Sequence, residues 1–178
     1  PYQPGKPIDE VVAEYKPAKV VKLASNENPL GPSPKAKEAL TSLSDYLHLY
    51  PDGDAKELKQ RIAELENVST NQVVIGNGSN EILELAARAF LNKDTSALMS
   101  KHAFAVYKII SQACGSRIIE VPMIDWKHDL KSFKDHMNDD TRIVFVANPN
   151  NPTGTFNSHK DFTDMMLNIP SSTLVVLD

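Results

Sequence analysis

The chain has 178 residues, of which 41% are hydrophobic and 24% charged, a composition suited to a globular fold with one sizeable core. Its formal net charge of −4 gives no basic stripe for nucleic acid, and no apolar run approaches the roughly 20 residues needed to span a bilayer. The opening PYQPGKPIDE has neither the basic start nor the apolar stretch of a secretory signal, so a cytoplasmic location is expected; the single cysteine, Cys114, excludes an internal disulfide, and no cysteine-histidine cluster suggests a metal site.

Residues 1–34 carry seven of the twelve prolines, which remove backbone donors and predict an extended arm and loop rather than one long helix. Ser33 then offers an N-cap with Pro34 at the first helical position, and Ala36, Ala39, Leu40 and Leu43 recur at helical spacing. Asp54 followed by Glu57 resembles a capping box, and Leu58, Ile62 and Leu65 give the next helix an apolar stripe.

After Gln72, short apolar runs alternate with amphipathic segments, the pattern of βαβ units in a mainly parallel α/β sheet. Strands are predicted at 73–75, 95–99, 117–121, 142–147 and 173–177. Between the first two, Ile82, Leu85, Ala86, Ala89 and Phe90 form a helical face; Leu130, Phe133 and Met137 form another, and Phe162, Met165, Met166 and Ile169 a third, capped by Ser158. These stripes and the helically spaced Cys114 read as core. The last predicted strand ends at Asp178 without a crossover helix to cover it, so the sequence is expected to continue in the intact protein.

In open parallel sheets, ligands bind beyond the carboxyl ends of the strands, which makes the strand ends the places to look for chemistry. Gly76-Asn77-Gly78-Ser79-Asn80-Glu81 combines a tight turn with a helix start, a cradle for phosphate; with Gly78 as the cap, Glu81 falls where it can bond back to the cap N–H. The turn lacks the third glycine and the later acidic residue of a dinucleotide fingerprint, which argues against a nicotinamide cofactor. Phe104 can stack on a planar ligand or serve the core, and Asn148-Pro149-Asn150-Asn151-Pro152-Thr153-Gly154 is a polar turn with several amides. Asp178 places a carboxylate at a buried strand end, where it needs a positive or protonated partner. A phosphate cradle, a stacking ring, an amide and an anion at one sheet edge together suit pyridoxal phosphate, whose protonated ring nitrogen makes it an electron sink.

With those four junctions in place, the chain resembles the fold type I aminotransferases, specifically the histidinol-phosphate aminotransferase family, over its whole length. Tyr2-Gln3-Pro4-Gly5-Lys6-Pro7 is similar to that family's N-terminal arm, residues 23–34 to its next segment, Tyr50-Pro51-Asp52-Gly53 to its dimer-crossing loop, and Asn148 to Gly154 to its most recognisable run. The position after the second strand that is often tyrosine in the family is Phe104 here, and the usual prolines before it are absent from Ser100-Lys101-His102-Ala103.

The resemblance implies the three-layer, mainly parallel sheet of the fold type I large domain, incomplete at its C-terminal end, with residues 1–45 as arm and part of the small domain and 46–178 as the first part of the large domain. It implies that Ser79 and Asn80 bind the phosphate of pyridoxal phosphate, Phe104 stacks on the ring, Asn151 bonds the phenolic oxygen and Asp178 pairs with the ring nitrogen. Tyr50 would reach the cofactor phosphate of a neighbouring subunit in a homodimer, and Tyr2 would lie near the substrate. The Schiff-base lysine and the substrate-binding arginines would follow Asp178, leaving this stretch without a catalytic residue; Lys101 stands in the wrong order relative to the Asn-Pro run to be that lysine. The implied reaction moves an amino group between histidinol phosphate and 2-oxoglutarate, in histidine biosynthesis. An aromatic-amino-acid aminotransferase, a related decarboxylase and a noncatalytic fragment are the alternatives.

Overall fold

Proline placement sets the limits of the first helices. The computed structural model describes residues 5–23 and 25–178, and packing divides the chain into two units, Pro1–Glu57 and Leu58–Asp178. In the first, helix α1 (Ile8–Tyr15) fills the interval between Pro7 and Pro17, and Lys16 turns the chain through a left-handed φ of 44°. The stretch was expected to be extended; prolines forbid a helix that runs through them but tolerate one that starts just after one and ends before the next. Helix α2 (Pro34–Ser42) begins as predicted, with the Ser33 hydroxyl accepting from the Ala36 N–H at 3.2 Å. None of the described residues of this unit is buried, and Leu30, Leu47 and Tyr50 present almost their whole side chains to solvent.

Helix α3 (Lys56–Glu66) starts one residue later than its capping pattern suggests. The carboxylate of Asp52, not Asp54, accepts from the backbone N–H groups of Asp54 and Lys56, at 3.0 and 2.9 Å, and Ala55 takes a positive φ. Only Ala63 of this helix is buried; Leu58 and Leu65 of the expected stripe are exposed.

The second unit follows the βαβ pattern. Helix α4 (Gly78–Phe90), strand β1 (Ser96–Ser100), helix α5 (Ala105–Ala113) and strand β2 (Arg117–Val121) lead to a small hairpin of β3 (Met123–Ile124) and β4 (Lys127–His128). Helix α6 (Phe133–His136), strand β5 (Thr141–Val146), helix α7 (His159–Met166) and strand β6 (Leu174–Leu177) complete it. The four long strands form one sheet in the order β2-β1-β5-β6, every neighbour parallel, and the two-strand hairpin stands apart. The strand expected at 73–75 does not form: Val73 is extended, but among the described residues no strand pairs with it.

Alternation along the strands builds two cores. Ala97, Met99, Ile143, Phe145, Leu174 and Val176 face α4 and α5, whereas Leu98, Val144, Val146 and Val175 face Leu130, Phe133 and Met165 on the other side. The result is the expected helix–sheet–helix arrangement. The inward face of α4 is carried by Leu83 and Ala87; Leu85 and Phe90 of the predicted face are exposed, at 47% and 44%. Cys114 packs against the first core from the end of α5.

Candidate active site

Because the four strands run parallel, the residues that follow β1, β5 and β6 gather along a single edge of the sheet. They are Lys101 to Phe104, Ala147 to Asn157, and Asp178. Helix α4 ends just before β1 begins, so its N-terminus lies toward the opposite, carboxyl edge, about 20 Å away for 13 residues. The topology thereby puts Ser79 and Asn80, at the start of α4, toward the same edge as Phe104, Asn151 and Asp178.

The turn into α4 is shaped by glycine. Gly78 has a φ of +75°, a region that side-chain-bearing residues avoid, and nothing lies within 4 Å of where its Cβ would stand. Asn77 holds the cap position rather than Gly78, without a side-chain capping bond. The Glu81 carboxylate bends back to accept from the Asn77 backbone N–H and, at 2.9 Å, from its side-chain amide, the structural role anticipated for it. The side chains of Ser79 and Asn80 are exposed and make no hydrogen bond among the described residues.

The Asn-Pro run after β5 separates its amides by task. Asn148 and Asn157 pair reciprocally: the Asn157 N–H donates to Asn148 Oδ1 at 2.9 Å, and Asn148 Nδ2 donates to the Asn157 carbonyl at 3.1 Å. Buried Asn150 donates from Nδ2 to the His102 carbonyl at 3.0 Å and to Thr153 Oγ1 at 2.7 Å, tying this loop to the segment that carries Phe104. The peptide bonds before Pro149 and Pro152 are cis. Half-buried Asn151 alone keeps its amide free of any protein partner among the described residues.

Asp178 is held by both main chain and side chain. Its N–H donates to the Val146 carbonyl and its carbonyl accepts from the Asn148 N–H, each at 2.9 Å. Its Oδ2 accepts a 2.6 Å hydrogen bond from the hydroxyl of Tyr107, whose ring is fully buried and stacked on Phe145 at 4.8 Å. Burial, and then the hydrogen bond to Asp178, push the Tyr107 phenol far above its ordinary range, so it remains a donor. Phe104, half-buried at the start of α5, meets Tyr107 edge-on at 5.7 Å, so it belongs partly to the core, as its alternative reading anticipated.

His128 buttresses the same edge from the opposite face. Its ring bridges Ser100 Oγ, at 2.7 Å, and the Ala147 carbonyl, at 2.8 Å, joining the last residue of β1 to the residue just after β5. A carbonyl can only accept, so Nε2 carries the hydrogen and Nδ1 accepts from Ser100. Burial lowers the pKa of the imidazole and keeps it neutral.

Sequence reasoning passed over Tyr107, Asn150 and His128. Tyr107 lies 71 residues from Asp178 and sits in a helical core stripe, so nothing local marked it; Asn150 could be singled out only once its neighbour at residue 102 was known. Tyr50 lies fully exposed in the first unit, and Tyr2 falls outside the described residues.

Fit to pyridoxal phosphate is tested by what the protein leaves free. Among the described residues, the side chains of Ser79 and Asn80, the amide of Asn151 and the second oxygen of Asp178 have no hydrogen-bond partner, while Asn148, Asn150 and Asn157 each donate their side-chain amide to a backbone carbonyl, although Oδ1 of Asn150 and of Asn157 is left unpaired. A free amide, a free carboxylate oxygen and an open glycine turn are the donors and acceptor that such a group requires.

Residues 18–178 match the family model for aminotransferases of class I and II. The chain belongs to that family. It is 51% identical to histidinol-phosphate aminotransferase 2 of Pseudomonas fluorescens strain Pf0-1, over all of this chain and 49% of the relative. It is 47% identical to histidinol-phosphate aminotransferase 1 of Idiomarina loihiensis, over all of this chain and 48% of that one. The crystal structure of histidinol-phosphate aminotransferase from Sinorhizobium meliloti, in complex with pyridoxal-5'-phosphate, superimposes with a TM-score of 0.82 at 25% identity, covering 86% of this chain and 42% of the other. The chain thus spans about half the length of the curated relatives it matches. No helix among the described residues is long and apolar enough to cross a membrane.

Proposed function

We propose that the full-length gene product is a histidinol-phosphate aminotransferase that uses pyridoxal phosphate to move an amino group between histidinol phosphate and 2-oxoglutarate. The observation that carries the reaction class is the carboxyl edge of the sheet, along which Asp178 presents one oxygen, and Asn151 an amide, without a side-chain hydrogen-bond partner among the described residues. The substrate follows the relatives, the first of which is 51% identical to this chain over all of the chain and 49% of its own length.

In this reading, Ser79 and Asn80 hold the cofactor phosphate, with the partial positive charge of the α4 N-terminus behind them. Phe104 stacks on the ring, Asn151 donates to its phenolic oxygen, and Asp178 keeps a proton on its nitrogen. When bound, the cofactor supplies an electron sink for the carbon that loses or gains the amino group. The catalytic lysine follows Asp178 in the full-length product, so residues 1–178 alone carry most of the cradle and no turnover. Residues 46–178 form the first part of the large domain, Tyr50 completes the site of a second subunit in a cytoplasmic homodimer, and Tyr2 lies on an arm near the substrate.

Steady-state assays of the full-length product, saturated with cofactor and supplied with 2-oxoglutarate, test the proposal. Histidinol phosphate should exceed phenylalanine in kcat/KM by about tenfold or more, about 1.4 kcal/mol of discrimination. A preference for phenylalanine would make the protein an aromatic-amino-acid aminotransferase, and release of carbon dioxide without amino-group transfer would make it a decarboxylase.

A further inference from the structure

We propose that Tyr107 is a positioning residue for the carboxylate of Asp178, fixing through its hydroxyl which carboxylate oxygen is turned toward the cofactor's ring nitrogen; this rests on the reading of Asp178 given above. The main chain of Asp178 is already fixed to β5 by its two backbone bonds, to Val146 and Asn148. What remains free is rotation of the side chain, and the 2.6 Å bond from Tyr107 to Oδ2 removes it. Oδ1 is left with no partner among the described residues, available to a donor outside the protein.

Tyr107 is equipped for that task. Its ring is fully buried and lies nearly parallel to Phe145, 7° between planes, which fixes the direction of the hydroxyl. Phe104 abuts it edge-on, so the ring that would stack on the cofactor and the ring that orients the carboxylate form one packed train, Phe104–Tyr107–Phe145. Because burial holds the phenol protonated, the proton in the bond stays with Tyr107 and the carboxylate is the acceptor. Packing alone would be served equally by phenylalanine; the buried hydroxyl is the feature that packing does not explain.

The experiment compares the full-length product with its Tyr107→Phe, Asp178→Ala and doubly substituted forms. Pyridoxal phosphate affinity is measured by fluorescence titration of the apo forms, and protonation of the ring nitrogen by the 15N resonance of labelled cofactor at saturation. Tyr107→Phe keeps the ring and its stack, and thermal unfolding of the apo form serves as the folding control. The expected result is affinity weakened by about tenfold, a 15N resonance displaced toward the unprotonated position, and about twofold or less further loss when Tyr107→Phe is added to Asp178→Ala. Unchanged affinity and resonance in Tyr107→Phe, with both altered in Asp178→Ala, overturn the role of Tyr107 and leave that of Asp178 standing. Equal losses from Tyr107→Phe with and without Asp178 also overturn it, since the ring would then act by packing. Unchanged affinity and resonance in Asp178→Ala remove the reading of Asp178 itself, and this inference with it.

Discussion

Replacing His128 by phenylalanine should cost the protein about 2–6 kcal/mol, and the figure follows from the two atoms it abandons. The imidazole is buried between Ser100 Oγ at 2.7 Å and the Ala147 carbonyl at 2.8 Å, and no other side-chain partner among the described residues serves that hydroxyl. Phenylalanine retains the ring but no polar atom, so a buried hydroxyl and a buried carbonyl are left unpaired, each at about 1–3 kcal/mol. That is a large part of the roughly 5–15 kcal/mol by which folded domains are stable. Urea unfolding near neutral pH, with the midpoint and slope fitted together, measures the loss; a decrease below about 0.5 kcal/mol would refute the bridging role. The same residue sets a pH dependence. Burial depresses its pKa in the folded state, whereas the unfolded imidazole has its ordinary value of about 6.5. As pH falls below that value the unfolded chain takes up the proton first, so the His128 contribution is complete above it and drains away toward the depressed folded value. The His128→Phe protein should lose less stability than the parent across that interval, and parallel curves would show that His128 is not the titrating group.

Three further outcomes are expected. Gly78→Ala should weaken cofactor binding and lower stability by about 1–2 kcal/mol, because the left-handed φ of 75° admits no Cβ without strain even though the surrounding space is open; calorimetric titration and thermal melts of the same sample check both effects. Asn151→Ala should lower cofactor affinity with stability unchanged to within about 0.5 kcal/mol, whereas Asn150→Ala should destabilise by about 1–3 kcal/mol because the His102 carbonyl loses its donor; equal effects from the two substitutions in urea unfolding would contradict the division of labour between them. Deleting residues 1–7 should narrow the preference for histidinol phosphate over phenylalanine, since a proline-rich arm costs less entropy to order over a bound substrate; an unchanged kcat/KM ratio would assign the arm to clasping a partner subunit instead.

Much of the second unit was legible because β-branched runs and helical stripes alternate at the spacing of βαβ units, and Ser158 there, like Ser33 in the first unit, marks a helix start by the capping bond it makes. Where the reading failed, several competing patterns existed. Helix α4 is apolar around more than half its circumference, so Ile82, Leu85, Ala86 and Ala89 look as good a buried face as Leu83 and Ala87; only the sheet beneath decides. Residues 73–75 have strand composition, but composition supplies no neighbouring strand. The hairpin at Met123–His128 turns on Asp125 and Trp126, both with positive φ, and tryptophan gives no warning of such a conformation. For the site, the resemblance pointed to the residues that stay free, Asn151 and one oxygen of Asp178. The ones that hold them, Tyr107 and Asn150, act across 71 and 48 residues of chain and leave no mark at any fixed offset.

The register of β6 has a consequence for which sequence changes the protein can accept. Leu174 and Val176 point to the core shared with α5, and Asp178 continues their alternation toward the hydroxyl of Tyr107. A one-residue insertion or deletion between Leu174 and Leu177 would transfer the carboxylate to the opposite side of the sheet, where Val175 and Met165 lie. Length variation in this region should therefore be confined to the exposed turn at Pro170–Ser172, upstream of the paired residues, where a loop can absorb extra residues without altering the parity of the strand. Substitutions within β6 can exchange one apolar side chain for another, but the count of residues from Leu174 to Asp178 is as much a part of the charge site as the aspartate itself.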